Sequence, residues 1–132
     1  MVNVFSNVIK KLENPGDIAV SHDEAIKIVE ANIRVQLAGK SAKVLLTGTC
    51  APSDICYVAQ ELRHVSSNTD ITYIEGENLF KSHETIEKLA QADYVVLVEK
   101  KNNSYLSEVD KQIIEIERAE KKILGLVLLE DK

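Results

Sequence analysis

The chemistry-bearing residues of this chain crowd into one stretch, Gly48-Thr49-Cys50-Ala51-Pro52-Ser53-Asp54, which follows the apolar run Val44-Leu45-Leu46-Thr47. A strand, a loop containing glycine and a helix start together form a place for an anion, because unpaired backbone N–H groups and the positive helix end aim at one spot. A loop that holds nucleotide phosphates adds a second glycine, a lysine for the outer phosphates and a hydroxyl for magnesium, in the spacing G-x-x-x-x-G-K-[ST]. From Gly48 to Tyr57 the chain reads G-T-C-A-P-S-D-I-C-Y. It has no lysine and no second glycine, and Asp54 would repel a phosphate held nearby. Cys50 offers a different chemistry, since a thiol just before a helix N-terminus can be activated as a nucleophile by a lowered pKa.

Other reactive types are scattered. Two cysteines and three histidines, His22, His64 and His83, match no metal-ligand spacing, and the expectation is no metal site and no cofactor. Cys50 and Cys56 lie too far apart for a known redox motif, and Cys56 reads as a core residue of the helix that follows. Glu75 and Glu99 close two strands on the side where a crevice would form. Two carboxylates without a third acid make a poor metal site. Tyr73 and Tyr94 fall inside strand patterns and read as packing residues.

Elements must position these groups, and their order is legible. Ser21 and Glu24 make a capping box, after which Ile26, Val29, Ile33 and Leu37 recur at helical steps until Gly39. The strand Val44–Thr47 comes next, then a helix capped by Ser53 or Asp54 with Ile55, Ala59 and Leu62 on its inner face. A strand from Ile71 to Ile74 follows, then a short helix capped by Ser82 and carrying Ile86, Leu89 and Ala90. Tyr94 to Val98 is the third strand. A loop from Lys100 to Ser104 leads to a charge-rich helix presenting Leu106, Val109, Ile113 and Ile116, and Ile123 to Leu129 is the fourth strand.

Strands alternating with helices are joined in parallel through crossovers, so the fold class is α/β, a three-layer sandwich of the P-loop-NTPase-like or Rossmann-like kind. With right-handed crossovers the four strands take the order 2-1-3-4, and the switch in direction places any ligand crevice at Gly48 to Ser53 and the neighbouring loop after the third strand. The turn signal Asn14-Pro15-Gly16-Asp17 makes residues 1–20 an expected tail or tether, with one domain over 21–132.

Composition narrows the function. The chain has 132 residues, 45% of them hydrophobic, enough for one domain with a core. Sixteen Lys and Arg against twenty-one Asp and Glu give a net charge of −5, which argues against nucleic-acid and anionic-membrane binding. Aromatics are 5% with no Trp, too few for a stacking platform. The longest apolar run, Ile123 to Leu129, falls far short of the roughly 20 residues that cross a bilayer as a helix, so no membrane insertion of this chain is expected. Without a secretory signal pattern or a disulfide framework, the expected setting is cytoplasmic.

The stretch Glu24-Ala25-Ile26-Lys27-Ile28-Val29-Glu30-Ala31-Asn32-Ile33-Arg34, followed by Lys43-Val44-Leu45-Leu46-Thr47-Gly48, resembles the start of the cytoplasmic kinase domain of bacterial tyrosine kinases of capsule and exopolysaccharide assembly. In that family a helix with an E-x-x-R-x-x-R-x-N-I-like pattern precedes a strand and a nucleotide-binding loop. Aligned without gaps, Asp54 falls at the family's second loop glycine, Ile55 at its lysine and Cys56 at its Ser or Thr. Ala92-Asp93-Tyr94-Val95-Val96-Leu97-Val98 and Ile123 to Leu129 look like the family's last two core strands. Between Leu62 and Glu75 the chain is shorter than the family, and Glu75 is the nearest acid to its second magnesium motif.

The resemblance implies a kinase-like fold without the kinase activity, since phosphoryl transfer needs the lysine and magnesium to neutralise developing charge. It implies a non-catalytic interaction or regulatory domain in capsular or exopolysaccharide biosynthesis, at the inner face of the membrane. Its partners would be membrane polysaccharide-assembly proteins, or further copies through the first helix, where Glu24 and Lys27 keep the family's charge alternation and Glu30 reverses it. The alternative is a phosphocysteine or thiol enzyme using Cys50, similar to sugar-phosphotransferase B domains. The C-x5-R of small tyrosine phosphatases is not met, because Cys56 stands in the arginine's place.

Overall fold

The computed structural model describes residues 6–9, 22–66, 70–100 and 106–129. In chain order they form β1 (Ser6–Ile9), α1 (His22–Leu37), β2 (Ala42–Thr47), α2 (Pro52–Val65), β3 (Ile71–Glu75), α3 (His83–Gln91), β4 (Tyr94–Lys100), α4 (Leu106–Arg118) and β5 (Lys122–Leu129). All five strands are parallel in one sheet, ordered β1-β5-β4-β2-β3. The four strands expected from the sequence stand in the expected order, as β3-β2-β4-β5.

The fifth strand corrects the reading of residues 1–20 as a tail. Ser6–Ile9 pairs with Leu126–Leu129 and covers part of the β5 edge that would otherwise leave backbone groups unpaired. Two adjacent β-branched residues, Val8 and Ile9, suit it. So short a run is easily outweighed in the sequence by the turn signal that follows it. The turn itself and the Ser21 cap lie outside the described residues.

Crossover direction sorts the helices. The connections β1-α1-β2 and β2-α2-β3 both travel toward β3, whereas β3-α3-β4 and β4-α4-β5 travel back, so right-handed crossovers place the two pairs on opposite faces. Two cores result. One joins Ile26, Ile33, Ile55 and Leu62 of α1 and α2 to Val44, Leu46, Val96 and Val98. The other joins Leu89 and Ile116 of α3 and α4 to Leu45, Val95, Leu97 and Ile123. Successive residues of β2 and β4 thus serve alternate cores, which is why both read as nearly continuous apolar runs. Each of these fully buried aliphatic side chains contributes about 1.5–3 kcal/mol.

Three local details matter here: a helix start and a helix face that depart from expectation, and a slip in register. α2 starts at Pro52 with Ala51 as its N-cap, not Ser53 or Asp54. Proline has its φ preset for the first helical position, and Asp54 then stands in the first turn, where the helix dipole favours its charge. Along β4 and β5 the register slips, Val95 facing Ile123 and Val96 facing Gly125. The extra residue is Leu124, whose carbonyl accepts from Gln36 Nε2 at 3.0 Å. Ile86 of α3 is not core but 53% exposed.

The β3 edge carries its own protection. Ala42 N–H donates to the Asp70 carbonyl and Gly76 N–H to the Leu46 carbonyl, so even-numbered residues here face β2 and Tyr73 and Glu75 face outward. Both outward carbonyls are capped by cations, Tyr73 by Arg63 Nη2 at 2.6 Å and Glu75 by Lys88 Nζ at 2.8 Å. Charged side chains on an edge discourage pairing with another chain. Replacing both, Arg63→Ala with Lys88→Ala, is expected to raise self-association in sedimentation velocity at unchanged secondary structure. A double variant that sediments as the parent does would refute the capping role.

Candidate functional site

β2 and β4 are neighbours, and the chain leaves them toward opposite faces, so the crevice of this sheet lies between their C-terminal ends. Gly48 leaves β2 directly against β4. A Cβ there would stand 1.7 Å from the Val98 carbonyl oxygen, so no other residue fits without moving the loop. Two residues on, the buried Cys50 donates its thiol to that same carbonyl at 3.2 Å. The loop is drawn down onto the strand it passes.

Glu99 lies beneath it and is 2% exposed. Thr49 N–H donates to its Oε1 at 3.0 Å and Oε2 at 3.2 Å, and the Thr49 hydroxyl donates to Oε1 at 2.5 Å. From α4, the fully buried Gln112 donates Nε2 to Oε2 at 3.4 Å, and its own Oε1 has no partner among the described residues. A side-chain carboxylate of the protein therefore occupies donors of the loop that in nucleotide-binding folds face phosphate. A second carboxylate, Asp54, stands in the first turn of α2, whose start has no side-chain cap, and Lys100 Nζ reaches it at 3.7 Å from the end of β4. A phosphate oxygen placed here would meet the Glu99 and Asp54 carboxylates, with Lys100 beside Asp54 to offset one of them. At 4 Å and an effective dielectric constant of 20, an uncompensated like-charge pair costs about 4 kcal/mol.

The same charges decide the state of Cys50. Burial, then Glu99, then Asp54 push its pKa from 9.0 up to about 12, against the lowering expected from the helix end. At neutral pH the group is a thiol donating a hydrogen bond, the opposite of an activated nucleophile.

The remaining sequence candidates disperse. Ile55 is fully buried in the α1–α2 core. Ala51, Pro52 and Ser53 are exposed. Cys56 is half-buried rather than core: it accepts from Gln60 Nε2 at 3.4 Å and bonds the Glu75 carboxylate. Glu75 pairs with Arg63, which with Cys56 holds its carboxyl below the ordinary value. Glu75 and Glu99, expected to flank one crevice, thus have separate sets of partners. Glu24 and Lys27 are exposed on α1, and Lys27 borders a groove of about 670 Å³ against α2 together with Arg34, Glu61 and His64. At its floor Glu30, 6% exposed, is held by Arg34 at 3.2 Å and Ser66 at 3.4 Å. Among the described residues, no group of three or more His, Cys, Asp or Glu could hold a metal ion, and no helix is long and apolar enough to cross a membrane.

Gln112 and Lys100 escaped the sequence reading. Gln112 stands among the apolar positions Val109, Ile113 and Ile116 of α4, and a polar residue on a buried face signals a partner inside. Searches against protein families, curated proteins and solved structures give no match to this chain.

The two thiols should separate cleanly. Iodoacetamide at pH 8 is expected to modify Cys56 in the native protein, slowed by the Glu75 bond that raises its pKa, and Cys50 only after unfolding, read by peptide mass spectrometry. The raised pKa of Cys50 leaves stability intact below pH 9 and erodes it from pH 9 to 12, as the unfolded chain alone gives up its proton. A Cys50→Ala variant should therefore lose stability less steeply over that interval. Native labelling of Cys50 at the rate of a free thiol would contradict its burial.

Proposed function

We propose that this chain is a non-catalytic, kinase-like interaction or regulatory domain of capsular or exopolysaccharide assembly. It acts at the inner, cytoplasmic face of the membrane by contact with membrane polysaccharide-assembly proteins or with further copies through α1. The pathway rests on the resemblance of residues 24–34, 43–48, 92–98 and 123–129 to the bacterial tyrosine kinases. The observation that carries the loss of catalysis is the Glu99 carboxylate on the Thr49 N–H and hydroxyl, a bond made inside the protein where a kinase would hold its nucleotide. Ile55 supports it, because a core aliphatic side chain in the lysine's place cannot neutralise a phosphoryl group. Nothing in the geometry favours the thiol-enzyme alternative, since Cys50 is buried and protonated.

Thermal melting in magnesium-ATP tests the reading. A ligand at one hundred times its Kd stabilises the native state by about 2.7 kcal/mol, which moves the Tm of a domain this size by roughly 5–20 °C. The expected result is a Tm unchanged by millimolar magnesium-ATP. A nucleotide-dependent rise of several degrees would overturn the reading.

A further inference from the structure

We draw no further inference here: the strongest candidate, the apolar groove between α3 and α4 that leaves Phe80 and Ile86 exposed, has charges of both signs in its lining, and nothing in the structure shows what covers it.

Discussion

A carboxylate taken almost wholly out of water must find donors, and Glu99 finds them in the loop that leaves the neighbouring strand. Bonds from Thr49 N–H and hydroxyl, with Gln112 Nε2 from α4, tie β2, β4 and α4 together at the one place where the sheet reverses its winding. Hydrogen bonds to a charged group are worth about 1.5–3 kcal/mol each, more than a neutral pair. The approach needs Gly48, because any side chain there would collide with the Val98 carbonyl. The same closeness buries Cys50, and Glu99 together with Asp54 keeps its proton on. These internal bonds hold the loop against β4, and the burial that results is the first cause of the raised Cys50 pKa.

Parallel α/β sheets ordinarily use this crevice for a ligand. In this chain the components are all present as geometry: a strand, a glycine turn and a helix beginning at Pro52. What differs is the side chains. Ile55 turns into the core, Asp54 meets Lys100, and the loop donors are taken up by Glu99. The loop donors and the first turn of α2 are engaged by groups of the protein itself. The two faces of the sheet differ in character. The α1–α2 groove is lined with charges of both signs over a buried Glu30, whereas the α3–α4 groove is lined mainly by apolar side chains.

Much of the architecture was legible because each element repeats its signal. Apolar residues at helical steps in α1, unbroken aliphatic runs in β2 and β4 and the Ser82 cap, which accepts from Thr85 N–H, all point the same way. Crossover handedness then leaves little freedom in strand order. β1 was not legible, since four residues carry no period and their role exists only against the distant β5 edge. The helix start at Pro52 was misread because Ser53 and Asp54 are the commoner caps. At the site, the sequence exposed what the loop lacks, but not what takes the ligand's place. Glu99 and Gln112 are separated from Thr49 by long stretches of chain, and only the sheet register brings a strand-end acid and a helix-face amide under that loop.

The Thr49 amide reports on this account directly. Hydrogen exchange at that N–H, followed by NMR in the parent and in a Glu99→Ala variant that remains folded, measures whether the carboxylate holds the loop. The account predicts strong protection in the parent without any added ligand, and its loss in the variant. Free exchange at Thr49 in the parent, or protection that arrives only with magnesium-ATP, would contradict the claim that Glu99 stands in the ligand's place.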